Sequence, residues 1–265
     1  MRQFVISAPS MVFGRHLVEN VKHLSRMVDN VEIVIFHTPD LHNIPKREEV
    51  DRIKEMMAEK RLTCSVHLPA SLEIAATQAS KREFAIKLIA RIADRLADLK
   101  PETYVLHVPF SAPTLTVEPG SYFTALDGPN FAGWVRRTLA SLNQVQGDTG
   151  LNQRLLVENI NYSPKFLEPF WEQGLCALCL DIGHLLLGKE CVRRELKQYL
   201  PIIREIHLHG VIQWEEHLAL DVLPRARVRS WLDCITAYGY SGILNLEVFS
   251  PDDLKKSLQM LKDVR

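Results

Sequence analysis

The residues "CALCLDIG", from Cys176 to Gly183, are the strongest indication of the fold. Its first five residues are apolar, and an acid and a glycine follow them within three positions. A short apolar run that ends in a turn signal predicts a strand buried on both faces, as in a parallel sheet. Seven other runs share these features, and longer amphipathic segments lie between most of them. The seven are "FVISAP" (4–9), "VEIVIF" (31–36), "LTCSVHLP" (62–69), "ETYVLHVP" (102–109), "RLLVENI" (154–160), "REIHLHG" (204–210) and "GILNLEVF" (242–249).

The alternation of buried strands with amphipathic helices predicts an α/β protein with a parallel sheet. Eight such units predict that the sheet closes, so we expect a single (β/α)8 TIM barrel domain over residues 1–265. An open doubly wound sheet is the alternative, but no Gly-x-Gly-x-x-Gly follows any run, which weighs against a dinucleotide fold. The stretch 109–131 follows the fourth strand. We expect a lid-like loop there, whose Tyr122, Phe123 and Phe131 cover a flat substrate at the barrel mouth.

Composition excludes several classes of protein. The formal net charge of +0 argues against a protein that binds long nucleic acid, which usually needs a basic surface. No apolar run approaches the roughly 18 residues of a membrane span, and "MRQFVISAPSMVFG" lacks the features of a signal peptide. We therefore expect a reduced, cytoplasmic protein. Cys176 and Cys179 lie in an apolar run without a second Cys pair, which indicates buried thiols rather than a zinc site.

Polar side chains occur at or just beyond the ends of the last six predicted strands. In a barrel, the carboxyl ends of the strands meet at one mouth, where active sites lie. We therefore expect these side chains to form one cluster. They are His67, His107, Glu158, Asn159, Asp181, His184, His207, His209, Glu215, Glu216, His217 and Glu247. The four earlier histidines show no such regularity and are expected to be structural or solvated, although His37 could reach the mouth. They are His16, His23, His37 and His42.

A rim that carries six histidines and several acids predicts bound metal. Buried imidazoles and carboxylates need partners, and divalent cations would supply them. Mixed His and carboxylate ligands without cysteine suit Zn, Mn or Fe. One metal needs about four protein ligands. The rim offers more than twice that number, so we expect two or three ions per chain. Neighbouring cations of this kind are typical of phosphoester hydrolysis.

The order of these residues resembles the endonuclease IV and xylose-isomerase-like barrel superfamily. That resemblance implies three metal positions. The first would be held by His67, His107 and Glu158, and the second by Glu158, Asp181, His207 and Glu247. The third would be held by His184, His217 and a nearby acid, Glu215. The family pattern places an Asp two residues before the last histidine, whereas this chain has Glu215-Glu216-His217, so the choice between the two glutamates stays open.

A narrower similarity concerns the cobamide remodelling phosphodiesterases of the same superfamily. The words that carry it are "VEIVIF", "SVHLP", "CLDIGHLLLGK", "IHLHGV", "EHLALD" and "GILNLEVF". It implies hydrolysis of the phosphodiester that joins the nucleotide loop of a cobamide to its corrin ring. Glu158 and Glu247 would then be catalytic, and Tyr122 and Asn159 would contact the substrate. His209 would contact the substrate phosphate, donate a hydrogen bond to a metal ligand, or be purely structural.

Three other functions remain open. One is a sugar isomerase or epimerase, in which Glu158, Asp181, His207 and Glu247 bind a single metal and the two glutamates shuttle a proton. Another is a DNA repair endonuclease, which the neutral charge disfavours. The last is a barrel that binds a corrinoid without turnover. The sequence leaves the identity of the metal and the oligomeric state undecided.

Overall fold

The computed structural model describes residues 4–14, 16–38, 40–110, 122 and 128–264. Eight parallel strands close into a barrel, in which the first strand pairs with the last. The α/β barrel predicted from the sequence is thereby confirmed. In order around the barrel, the strands are β1 (Val5–Pro9), β2 (Asn30–Val34), β3 (Thr63–His67), β4 (Tyr104–Leu106), β5 (Leu155–Glu158), β6 (Ala177–Asp181), β7 (Ile203–Leu208) and β10 (Ile243–Leu246).

Helices connect most of these strands and cover the outside of the barrel. They are α1 (Leu17–Leu24), α2 (Arg47–Lys60), α3 (Ala79–Leu96), α4 (Gly128–Thr149), α5 (Glu168–Trp171), α6 (Ile182–Leu187), α7 (Val192–Tyr199), α8 (Arg225–Ala237) and α9 (Pro251–Asp263). Among the described residues, no helix is both long and apolar enough to cross a bilayer.

A small antiparallel hairpin interrupts the last units. Its strands β8 (Gly210–Ile212) and β9 (Glu215–Leu218) follow directly after β7. Gly210 is required by close packing rather than by its backbone angles. A Cβ atom at this position would lie 2.3 Å from the carbonyl oxygen of Ala219. Glu215, Glu216 and His217 lie on the second strand of this hairpin. They approach the mouth although they do not end a strand of the barrel.

The predicted lid falls mostly outside the described residues, which exclude 111–121 and 123–127. Its two ends differ from the prediction. Residues 128–131 belong to α4, and Phe131 stacks on Trp134 with ring centres 5.7 Å apart. The indole N–H of Trp134 donates to the carbonyl of Pro109. Phe131 therefore packs on the barrel's outer core, because α4 already begins at Gly128, three residues before the predicted end of the loop.

The two faces of the barrel strands have different compositions. Side chains alternate between the faces of a strand. The outward-facing residues belong to one large apolar core shared with the helices, for example Ile33, Val66 and Leu180. Among the described residues, the inner face holds a small apolar cluster beside many buried polar side chains. That cluster consists of Val105, Leu156, Ala177 and Cys179.

Candidate metal centre

Glu158, the last residue of β5, lies at the centre of the polar cluster and is almost completely buried. Its Oε2 is 2.9 Å from Nε2 of His107 and 3.4 Å from Nε2 of His67. Its Oε1 is 3.3 Å from Nδ1 of His207 and 3.7 Å from Nδ1 of His184. The two oxygens of one carboxylate therefore face different sets of imidazoles, an arrangement suited to bridging two neighbouring cations.

The first set consists of His67, His107 and Glu158, whose ligand atoms lie within 4.8 Å of one another. His67 ends β3, and its Nδ1–H donates to the carbonyl of Leu68 at 2.8 Å. That bond leaves the Nε2 lone pair directed toward Glu158. Hydrogen bonds of this kind fix the tautomer and the ring orientation of metal-binding histidines.

The second set adds Asp181, His207 and Glu247 to the shared Glu158. Nδ1 of His207 is 3.1 Å from Oε2 of Glu247 and 3.9 Å from Oδ2 of Asp181. The strand register produces this meeting, because His207 is paired with Asp181 on β6 and with Asn245 on β10. All four side chains are buried.

These four side chains fit a divalent cation. Within the described part of the chain, one atom of each is buried and lacks a hydrogen-bond partner. The atoms are Glu158 Oε1, Asp181 Oδ2, His207 Nδ1 and Glu247 Oε2. Buried polar atoms are normally satisfied, and leaving one unpaired costs about 1–3 kcal/mol or more. Three carboxylate oxygens and an imidazole nitrogen that lie together in this way are the ligand types of a Zn, Mn or Fe site.

A third group lies on the more open side of the cluster. Nδ1–H of His184 donates to the carbonyl of Asn159 at 2.8 Å, and its Nε2 is 3.6 Å from Glu216. Nε2 of His217 is 3.9 Å from the other oxygen of Glu216. Glu215 is exposed and pairs with Ile212 across the hairpin. The structure therefore brings Glu216, and not Glu215, to the group, because neighbouring strand residues face opposite ways.

Of the roles left open for His209, the structure favours support of a metal ligand over a phosphate contact, since its imidazole is wholly buried. Its Nδ1 accepts the backbone N–H of His217 at 2.9 Å, and its Nε2 is 3.3 Å from Oδ2 of Asp181. The ring occupies the space above Gly183, where a Cβ would lie 2.0 Å from it. His209 thus contacts the carboxylate of Asp181 and fixes its orientation.

The other two expected substrate contacts also lie elsewhere. Asn159 is buried, donates to the carbonyl of Asp181 and accepts its backbone N–H, so it joins the ends of β5 and β6. Tyr122 lies against Gly188, just beyond α6, and none of the described contacts joins it to the cluster. Burial raises the pKa of its hydroxyl.

Cys176 and Cys179 are buried, as the sequence predicts. The Cys179 thiol lies close to Glu158 and His207, but burial raises its pKa well above the usual range, so it packs as a neutral thiol. The four early histidines are not part of the metal-ligand groups among the described residues. His37, for example, stacks on His42 in the loop after β2.

Opposite charges within the cluster shift the pKa values of its histidines and acids. Burial lowers the pKa of His67, but the hydrogen bond with Glu158 and the nearby acids outweigh it and raise the pKa to about 9. Burial likewise opposes the charge on His209, yet Asp181 raises its pKa to about 9. Burial raises the pKa of Glu158, but the charges of His207 and His107 hold it well below the usual range. Protons on the imidazoles therefore occupy the place that cations would take.

Two findings define the chain's relatives. The xylose isomerase-like TIM barrel family model matches residues 24–264. Solved structures with the same fold include a D-tagatose 3-epimerase-like protein, which is 18% identical over 98% of this chain and 97% of its own, with a TM-score of 0.80. The 3-keto-D-glucoside 4-epimerase of E. coli is 14% identical over 99% of both chains, with a TM-score of 0.73.

A third structure with this fold is the D-psicose 3-epimerase of Clostridium cellulolyticum H10, at 10% identity over 99% of this chain and 98% of its own, with a TM-score of 0.73. No curated protein sequence matches the chain. These comparisons do not support the narrower resemblance to cobamide phosphodiesterases, since the structures named are epimerases. At such low identity they show the fold alone. The family match over nearly the whole chain is decisive for the broader assignment: the chain belongs to the xylose isomerase-like TIM barrel family.

Proposed function

We propose that this protein is a metal-dependent phosphodiesterase with at least two neighbouring cations in the barrel mouth. The observation that carries the proposal is the shared carboxylate of Glu158. One oxygen faces His67 and His107, while the other faces His207. A single-metal enzyme would need only the four residues of the second set, and His67 and His107 would then have no ligand role.

The buried residues of the site and the residues at its rim would have different roles. When bound, divalent cations in such a site polarise phosphoryl oxygens and make water more acidic. Glu158, Asp181 and Glu247 are buried acids that balance the cations' charge, and they exclude bulk water from the floor of the site. Glu216, whose side chain is 38% exposed, lies on the open side between His184 and His217. Together with these two histidines it would hold a cation at the third position.

A cobamide is the proposed substrate. The support from the sequence is the set of words shared with cobamide remodelling phosphodiesterases. The support from the fold is the apolar surface beside the site. Phe249, next to His217, is 42% exposed, and Trp214, in the turn of the hairpin that carries His217, is 63% exposed. Such residues would contact a large, flat, partly apolar molecule better than a free sugar.

A sugar epimerase is the second candidate, and the comparisons favour it. The related structures named above are epimerases of ketoses or of a keto-glucoside. The second ligand set would hold one cation, and Glu158 and Glu247 would face each other across it as a proton-transfer pair. This candidate leaves the first set unexplained.

Counting metals and products separates the two candidates. The protein is stripped with a chelator, reloaded with Zn, Mn or Fe(II), and analysed for metal per chain. Loaded protein is then incubated with a cobamide and, separately, with D-tagatose or D-psicose. We expect two or more ions per chain and, by mass spectrometry, a cobinamide phosphate together with the lower-ligand nucleoside. One ion per chain with ketose epimerisation would overturn the proposal.

A variant pair sharpens this test. His67→Ala removes a ligand of the first set only, and we expect it to lower both the metal count and phosphodiester cleavage. His23→Ala, an exposed histidine of α1 that stacks on Phe13, is the control and should change neither. Equal activity of His67→Ala and the control would sink the two-metal mechanism.

A further inference from the structure

Beneath the metal centre, the barrel interior holds a buried polar layer that the mechanism does not use. TIM-barrel interiors are usually filled with branched apolar side chains. Burying polar groups instead is costly unless they are hydrogen-bonded. The layer therefore has a role to be explained. Its buried members are Ser7, Asn30, Glu32, Ser65, Thr103, Glu205 and Asn245.

Hydrogen bonds within this layer occupy all but one of the oxygens of its two acids. Ser65 and Thr103 donate to the two oxygens of Glu205. The amide of Asn245 donates to Oε2 of Glu32 at 2.8 Å. Oε1 of Glu32 is the oxygen that remains, and it has no hydrogen-bond partner of standard geometry among the described residues.

That free oxygen lies 3.2 Å from Nε2 of His207, a ring nitrogen that is equally buried and equally unpartnered. The other ring nitrogen, Nδ1, faces Glu158, Asp181 and Glu247. Glu205 is farther from Nε2, at 3.8 Å, and its oxygens already accept two hydroxyl hydrogens. A neutral imidazole carries one proton, and a carboxylate only accepts hydrogen bonds.

We infer that Glu32 is a positioning residue, which holds the proton of His207 on Nε2 and so presents the Nδ1 lone pair to the cation. Asn245 fixes Glu32 in turn. The same arrangement, a carboxylate behind a metal-binding histidine, raises ligand basicity and fixes ring orientation in metal sites generally. The inference rests on the metal site and holds for either reaction, hydrolysis or epimerisation.

The test compares Glu32→Gln with Glu205→Gln, which removes an equally buried acid from the same layer. Both variants and the parent chain are stripped of metal and titrated with Co²⁺, and the binding step that disappears in His207→Ala identifies the relevant site. We expect Glu32→Gln to weaken that step by about 10-fold or more and to alter the visible Co²⁺ spectrum. Glu205→Gln should stay within about 2-fold of the parent.

Equal losses of Co²⁺ affinity in the two variants would show that only the buried charge matters and would overturn the inference. Unchanged Co²⁺ binding in Glu32→Gln would likewise overturn it. A second measurement needs no variant. ¹⁵N NMR of histidine-labelled, Zn-loaded protein should find the His207 proton on Nε2, and a proton on Nδ1 would overturn the inference. If the parent chain and the variants bind Co²⁺ as expected but the parent does not cleave a cobamide, the result would instead count against the proposed reaction.

Discussion

The outer and inner faces of the same barrel strands have different functions. On β7, Ile206 and Leu208 point outward into the apolar core, whereas Glu205 and His207 point inward among polar side chains. On β10, Leu244 and Leu246 are likewise part of the apolar core. Burial of the outer face stabilises the fold. The inner face places unpaired ligand atoms side by side, an arrangement that only a cation or protons make favourable.

Stability and chemistry are therefore separable on one strand, residue by residue. Outer positions should affect the free energy of unfolding and leave metal binding alone. Inner positions should affect metal binding first. Each substitution below tests that separation.

The largest effect is expected for Glu158→Gln on the inner face. The amide keeps the shape of the side chain but removes the charge that both ligand sets share. We expect kcat/KM for the phosphodiester to fall by about 10³-fold or more, as for a residue on which the whole site depends, together with a lower metal count by elemental analysis. A loss of less than about tenfold would contradict the bridging role of Glu158.

On the outer face, Leu180→Ala should lower the free energy of unfolding by about 2–5 kcal/mol, because it leaves a cavity in a fully buried position. Urea denaturation of the metal-free protein measures this value. The neighbouring inner substitution, Asp181→Asn, is the matched comparison and should weaken metal binding much more than Leu180→Ala does. If Leu180→Ala removed metal as effectively as Asp181→Asn, the two faces would not be separable.

Gly183→Ala tests the packing of His209 beneath Asp181. A methyl group there would overlap the imidazole, so we expect a loss of about 1–3 kcal/mol in unfolding free energy together with weaker metal binding. Gly147→Ala in α4 has open space around it, and as a helix residue it should be neutral or slightly stabilising. Thermal unfolding with and without Zn distinguishes the two variants.

The pH dependence should have opposite signs with and without metal. The pKa of His67 and of His209 is raised to about 9 in the folded chain, so their contribution to stability is complete below about pH 6.5 and is lost as the pH rises through 9. Metal-free protein should therefore lose unfolding free energy over this window. Metal affinity should increase over the same window, because an ion bound by His67 displaces the proton of that ligand.

Calorimetric titration with Zn in buffers of different ionisation enthalpy would count the protons released. We expect release on binding at pH 7. Metal affinity that is flat between pH 6.5 and 9 would contradict the pairing of imidazoles with acids across the inner face.

The smallest effect is expected at the rim. Glu216→Gln should weaken the third metal position by about 10-fold or less, because Glu216 is partly exposed and solvent screens it. Glu215→Gln, one residue away and facing outward, should leave metal binding unchanged. The reverse result would mean that the hairpin turns when metal binds. Zn titration of both variants measures the difference.

The barrel and most of the side chains that meet at its mouth could be predicted from the amino-acid sequence. Apolar runs of the "CALCLDIG" type predicted each strand, and the polar residue at the end of each run predicted which side chains would meet. His67, His107, Glu158 and His207 lie together as expected. The signal was strong because strand periodicity and the common mouth of a barrel depend only on local chain geometry.

The neighbours of each side chain could not be predicted from the sequence and became apparent only in the folded chain. Closure of the barrel placed Glu32 of β2 against His207 of β7, although 175 residues separate them, and the hairpin chose Glu216 over Glu215. In the folded chain, His209 and Asn159 contact Asp181, whereas the sequence had allowed both to contact the substrate. Sequence periodicity assigns a residue to a face of a strand. Distances across the interior depend on the register between strands and on barrel closure, and a local pattern contains no information about either.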